Sequence, residues 1–251
     1  MNGKTTIVIP CYNEALRLDR GAFRSFMREQ DVGFVFINDG SNDDTATVVD
    51  SICKESGGKA IALHLAENVG KGEAVRQGMR FAFQSGAEYA GFFDADLSTP
   101  LSTITLLQQV FHENPKVEMV FGARVLLLGK DVVRRRYRHL IGRFFATVAS
   151  NILHLPVYDT QCGAKLLRST DRVRKLFEQP FCSRWVFDVE LIARFIVAGR
   201  ECGAPAPRET IFEFPLPRWH HVGGSKISLL DFPRISCDLW KICRRYGRRL
   251  R

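Results

Sequence analysis

The sequence predicts an α/β fold, a mainly parallel β-sheet with helices on both faces. Three observations predict it. Short apolar runs rich in β-branched residues recur at 6–9, 33–37, 60–65, 89–93 and 117–121. Spans with helical spacing separate them, near 15–30, 43–55, 72–85 and 101–112. The runs are apolar throughout instead of alternating, the mark of strands covered on both sides. In such sheets ligands bind beyond the C-terminal ends of the strands, and here each polar motif follows a strand.

The first strand runs into Pro10-Cys11-Tyr12-Asn13-Glu14, and the second into Asn38-Asp39-Gly40-Ser41. A carboxylate at such a turn can accept hydrogen bonds from a nucleobase or ribose. Tyr12 offers a ring for base stacking, while Asp39 suits helix capping equally well. After the third strand, Asn68-Val69-Gly70-Lys71-Gly72 opens a helix. Its glycines let the backbone approach a ligand closely, and Lys71 adds a positive charge beside a helix N-terminus. Walker A spacing is absent. The fourth strand delivers Asp94-Ala95-Asp96 at its tip. On an ideal strand the two carboxylates share a side. They could grip one hard divalent cation and leave positions open for a diphosphate. An acidic pair in a turn can also merely cap a helix. Thr99 followed by Pro100 reads as an N-cap with proline in the first turn.

Residues 132–155 read as an amphipathic helix, with Tyr137, Leu140, Ile141, Phe144, Val148 and Ile152 at helical spacing and arginines crowding its start. Residues 185–198 form a second helix candidate, 209–214 a strand, and 228–246 a third helix through Phe232, Ile235, Leu239, Ile242 and Tyr246. No repeat, low-complexity tract or linker interrupts the chain. One continuous domain, 1–251, is expected.

Composition narrows the classes. The net charge of +9 is concentrated in Arg134, Arg135, Arg136, Arg138 and Arg143, and in Lys241, Arg244, Arg245, Arg248, Arg249 and Arg251. Such clusters serve nucleic acid, anionic lipid or phosphorylated ligands, or only solubility. Nucleic-acid signatures are lacking, so no nucleic-acid partner is expected. Seven cysteines without Cys-x-x-Cys give no zinc or disulfide framework and suit a reducing compartment. No window of roughly 18 uninterrupted apolar residues marks a membrane span.

The ordered series Pro-x-Tyr-Asn-Glu, Asp-Gly-Ser, Asn-x-Gly-Lys-Gly and Asp-x-Asp resembles the inverting GT-A glycosyltransferases of the second family. Asp159-Thr160-Gln161-Cys162-Gly163-Ala164-Lys165, Arg184-Trp185-Val186-Phe187-Asp188-Val189-Glu190-Leu191 and Gly224-Ser225-Lys226 narrow it to the polyprenyl-phosphate sugar synthases. The dolichyl-phosphate β-glucosyltransferase and mannose synthase groups stand nearest, and the likeness spans nearly the whole chain. It implies a GT-A, Rossmann-like fold, with a nucleotide-binding half at 1–125 and an acceptor-binding half at 126–251. Pro10, Tyr12, Glu14 and Asp39 would hold the nucleoside, with Lys71 near the nucleotide. Asp94 and Asp96 would bind Mg²⁺ or Mn²⁺ on the diphosphate. Asp159 and Gln161 would face the sugar or the acceptor phosphate, and Arg124 and Arg143 would hold that phosphate. Asp188 and Glu190 would shape the site from a helix, and Lys226 would lie in a segment closing over the nucleotide. The donor would be a nucleotide sugar, UDP-glucose on the resemblance alone, and the acceptor a polyprenyl phosphate. Asn38 stands where the family often has Asp, and Ser98 where mannose synthases often have Gln. The N-terminal membrane helix of the eukaryotic relatives is not among these residues. A cytoplasmic protein bound peripherally to an anionic membrane surface is therefore expected.

The acceptor sets the chemistry. A phosphate monoester, with a second pKa of about 6, is already mostly dianionic and needs no strong base; it needs cations, which arginine's planar fork supplies. A sugar hydroxyl on a soluble glycan would instead need a carboxylate base. Asp159 or Asp188 could serve as one, and Asp188 and Glu190 could equally be partly buried partners of arginines.

Overall fold

The structure is a computed structural model and describes residues 4–126, 128–129, 131–133, 136–220, 222 and 232–250. Its spine is a seven-stranded sheet. β1 (Thr5–Cys11) pairs in parallel with β2 (Val32–Asp39) and β4 (Tyr89–Phe93), and β2 with β3 (Ala60–Leu65). β7 (Ala164–Arg168) lies antiparallel between β4 and β5 (Met119–Ala123), and β8 (Ile211–Pro215) closes the edge parallel to β5. The order is β3-β2-β1-β4-β7-β5-β8. A separate two-stranded ribbon joins β6 (Asp131–Val133) to β9 (Arg218–His220).

Alternation explains the continuous apolar strands. Ile7 and Ile9 enter one core and Val8 the other; Phe34 and Phe36 enter the first, Val35 and Ile37 the second. The first core is roofed by α1 (Arg20–Glu29), α2 (Thr45–Glu55) and α4 (Thr103–Glu113). Phe23 of α1 meets Phe36 edge-on at 5.0 Å, and each such buried ring contributes roughly 1.5–3 kcal/mol. The second core takes α3 (Lys71–Gln84), α5 (Arg136–Leu153), α7 (Phe187–Glu201) and α9 (Phe232–Tyr246). Short helices α6 (Asp171–Lys175) and α8 (Pro207–Thr210) complete the connections.

α1 and α2 cover one face and α3 the other, so the chain changes face between β1 and β4. Ligands of open α/β sheets bind at such a switch point, beyond the strand C-termini. Pro10 fits its place for the same reason: pairing between β1 and β4 ends at Val8, so the missing amide costs the ladder nothing there.

The expected strands and helices of the first half are present, shifted by a few residues. The largest shift is at α1, which starts at Arg20 behind an Asp19 cap instead of near residue 15. α4 begins at Thr103, with Ser102 and not Thr99 at the N-cap position. Two differences are substantive. The sheet is mixed, because β7 occupies its centre antiparallel to both neighbours. The helix expected over 132–155 begins at Arg136, since Asp131–Val133 is drawn into the ribbon with β9. The Gly224-Ser225-Lys226 segment, with Lys226, lies outside the described residues, as do Arg134, Arg135 and Arg251.

Candidate active site

The donor side is made of turns. β4 stops at Phe93, and Asp94, Ala95 and Asp96 form a turn closed by Leu97 N–H donating to Asp94 O at 3.3 Å. Leu97 takes a left-handed φ of 52°. The ideal-strand argument for Asp94 and Asp96 therefore gives way to turn geometry, yet both remain partly exposed at the sheet edge. Asp94 accepts from Lys71 Nζ at 2.6 Å, and Asp96 from Ser98 N at 3.0 Å. Asp94 rests against Gly163, where an added Cβ would come 1.9 Å from its Oδ2. Only glycine leaves that space.

Lys71 opens α3 because the preceding loop is pinned. Asp39 accepts from Val69 N at 2.7 Å, Gly70 N at 2.9 Å and Asn68 Nδ2 at 3.1 Å. Gly70 adopts φ 96°, a conformation glycine reaches without strain. Burial lowers the Lys71 pKa, but Asp94, Asp188 and Asp96 more than offset this and leave it raised. Burial raises the Asp94 pKa, but Lys71, with Arg124 and Lys165, holds the carboxyl below its usual range. The carboxylates thus converge on one ammonium.

The acceptor side is made of buried ion pairs. Arg124, one residue past β5, grips Asp159 in a fork of 2.6 and 2.8 Å. Burial works against the Arg124 cation, but Asp159, with smaller help from Cys162 and Asp94, leaves its pKa raised. Tyr158 N and Asp159 N both donate to Glu213 on β8, at 2.9 and 2.6 Å. Burial nonetheless leaves the Glu213 carboxyl above its usual range. Arg143 on α5 stacks 4.0 Å from the Tyr158 ring and donates to Tyr158 O at 3.3 Å. Beneath them Lys165, wholly buried in β7, meets Asp188 at 2.6 Å, Cys162 O at 2.7 Å and Thr160 O at 2.9 Å. Burial raises the Asp188 pKa against the pull of Lys165, and pushes the Cys162 thiol up to about 11. Gln161 Nε2 and Thr160 Oγ1 are buried without a protein hydrogen-bond partner. Such atoms mark a place where a polar ligand or water completes the site.

The structure brings Pro10, Tyr12, Glu14, Asp39, Lys71, Asp94 and Asp96 to one sheet edge, with Arg124, Asp159 and Gln161 along its continuation. Three expectations take a more definite form. Asp39 is 3% exposed and accepts from the loop before α3, so it positions that loop. Asp188 has a 6% exposed side chain paired with Lys165, which removes it as a base. Glu190 is wholly buried, accepting from Arg194, Tyr246 and Cys182 N, and so fastens α9 to α7. Sequence reasoning gave no role to Lys165 or Arg184, although both stand within its motifs, and did not single out Glu213.

The donor set fits a hard divalent cation: two carboxylates on one turn, with a glycine-sized cradle for the first. Among the described residues no group of three or more His, Cys, Asp or Glu is arranged to hold a metal, so a diphosphate or water would complete the coordination.

Comparison with known proteins agrees with this architecture. The sequence profile of glycosyl transferase family 2 matches residues 6–172. The dolichyl-phosphate β-glucosyltransferase of Dictyostelium discoideum is 31% identical over 236 residues, 88% of this chain and 68% of that protein. The enzyme of the same name from Saccharomyces cerevisiae is 30% identical over 255 residues, covering 93% and 72%. Mycobacterium tuberculosis glucosyl-3-phosphoglycerate synthase, solved with Mn²⁺, UDP-glucose and phosphoglyceric acid, superposes with a TM-score of 0.65 at 17% identity, over 97% of this chain and 80% of that one. That likeness concerns the GT-A fold. With the profile, the relatives and the fold in agreement, this chain belongs to glycosyl transferase family 2.

Proposed function

We propose that this glycosyltransferase moves a glucosyl unit from UDP-glucose to the phosphate of a polyprenyl phosphate, at a membrane surface and with Mg²⁺ or Mn²⁺. The names of the sequence relatives and the ligands of the Mycobacterium tuberculosis neighbour support the donor, metal and acceptor classes. Residues 1–125 would form the donor half and 126–251 the acceptor half of one domain.

One observation carries the choice of acceptor. Both candidate bases are engaged, Asp159 with Arg124 and Asp188 with Lys165. A site without a free base suits a nucleophile that is already ionised, as a phosphate monoester is. A phosphate oxygen attacks C1 while the C1–O bond to the diphosphate breaks, and its electron pair leaves with UDP. The configuration inverts. Asp94 and Asp96 would hold the cation, which offsets charge on the departing diphosphate. Lys71 adds a second positive charge there. Gln161, Arg124 and Arg143 would orient the acceptor.

A second observation favours a lipid over a soluble ester. Exposed apolar side chains flank the two arginines: Leu126 and Leu128 beyond Arg124, and Phe144 beside Arg143, 73% exposed. On α9 the apolar residues Leu239, Ile242 and Tyr246 face the core, while Lys241, Arg244 and Arg245, and Arg248 and Arg249 just after the helix, stay exposed. Each cation near an anionic bilayer adds about 1 kcal/mol. No helix among the described residues is long and apolar enough to cross a membrane.

The test is a donor screen with undecaprenyl or dolichyl phosphate and Mg²⁺ or Mn²⁺, on anionic vesicles. Turnover of UDP-glucose that depends on metal and lipid phosphate is expected. Transfer to a soluble hydroxyl acceptor with no activity on lipid phosphate would overturn the reading.

A further inference from the structure

The segment between β7 and α7 contains an arginine that no part of the reaction scheme above uses. Arg184 is exposed, yet its guanidinium binds the loop that delivers Lys71 through Nε and Nη2. Nη2 donates to Asn68 O at 2.7 Å and to Asn68 Oδ1 at 2.8 Å, and Nε donates to Val69 O at 3.1 Å. Its own carbonyl accepts from Gly72 N at 3.2 Å. The side chain lies flat over Gly70, where an added Cβ would come 2.4 Å from Nε. Asp39 takes the amides of the same loop. The loop's donors are thus held by an anion, and its acceptors by a cation 115 residues away.

From this geometry we infer that Arg184 is a positioning residue for the donor nucleotide: it fixes the turn at 68–70 so that Lys71 stands at the Asp-x-Asp carboxylates before substrate arrives. The inference rests on the proposed donor chemistry. Planar geometry is essential, because three acceptors in one fork suit guanidinium and not ammonium. The same segment is tied to α9 by Ser183 Oγ donating to Asp238 at 2.7 Å, so Arg184 has a fixed base from which to act.

The experiment compares wild type, Arg184→Ala and Arg184→Lys in steady-state assays with UDP-glucose, Mn²⁺ and polyprenyl phosphate. Amide hydrogen exchange at Val69 and Gly70 and the thermal midpoint are measured alongside. For Arg184→Ala, KM for the donor should rise about ten-fold, with kcat within about three-fold and KM for the acceptor unchanged. Val69 and Gly70 should exchange faster, with the midpoint held within about 2 °C, as for an exposed side chain. Arg184→Lys should recover less than half of the lost donor affinity. Donor KM within two-fold of wild type, or donor and acceptor KM rising together with a falling midpoint, would overturn the inference. Absence of turnover by wild type would count against the proposed donor chemistry, and the exchange rates at Val69 and Gly70 would still decide whether Arg184 holds the loop.

Discussion

Asp39 and Asp159 are both nearly buried, 3% and 7% exposed, yet they are satisfied in opposite ways. Asp39 takes backbone amides and an asparagine from the loop before α3. Asp159 takes the guanidinium of Arg124, and its own amide and that of Tyr158 donate to Glu213. The contrast extends to the two sides of the cleft. The donor side is a set of strand-end turns held mainly by backbone hydrogen bonds. The acceptor side is a stack of ion pairs, Arg124–Asp159 over Lys165–Asp188, with Arg194–Glu190 securing α9 behind them. Removing one partner on the acceptor side strands a buried charge. Removing Asp39 on the donor side leaves neutral amides.

The sharpest test of that contrast is Lys165→Met. Asp188 and two carbonyls lose their shared donor, and stability should fall by about 3–5 kcal/mol in urea unfolding. Asp39→Asn should cost about 2 kcal/mol, the scale of hydrogen bonds to a charged group. Equal losses would break the comparison. Asp96→Ala comes next: kcat/KM should drop about 10²–10³-fold while the unfolding midpoint holds, as expected for a group that acts on developing charge. A near-native rate would remove Asp96 from the donor site. Leu128→Ser should leave stability unchanged, since that side chain is fully exposed. It should raise KM for a long-chain polyprenyl phosphate by about ten-fold over a short-chain one, the value of burying one leucine.

The smallest expected effect is a flat line. The folded pKa of Asp94 lies below 3.8, so its contribution is complete above 3.8 and fades only as pH falls through the depressed value. That of Lys71 lies above 10.5, so its contribution is complete below 10.5 and fades only as pH rises through the raised value. Between about pH 5 and 9 the stability difference between wild type and Asp94→Asn should therefore stay constant within about 0.5 kcal/mol. A slope in that window would show that the pair is not ionised as described.

Legibility in the sequence followed the same division. Turn motifs after β1 to β4 could be read because each is continuous in the chain and each follows an apolar run. Asp94, Asp96 and Lys71 therefore fell in one place from topology alone. β7 was hidden because Lys165 breaks its apolar pattern, and Asp188 together with carbonyls of the 160–162 turn makes that burial possible. The roles of Asp188 and Glu190 were open for a similar reason: carboxylates on α7 look alike until their partners on β7 and α9 are known. The hold of Asp39 on the loop before α3 was not legible because its partners lie some 30 residues on.

What the chain determined by itself is the alternation of strand and helix, the sheet edge at which the motifs gather, and the family to which they belong. These follow from local patterning, where side-chain period and turn chemistry act over a few residues. Tertiary structure alone decided which carboxylates are free and which are spent. An ionised group buried away from water needs an opposite charge or a set of dipoles, and those partners are supplied by packing across the whole sheet.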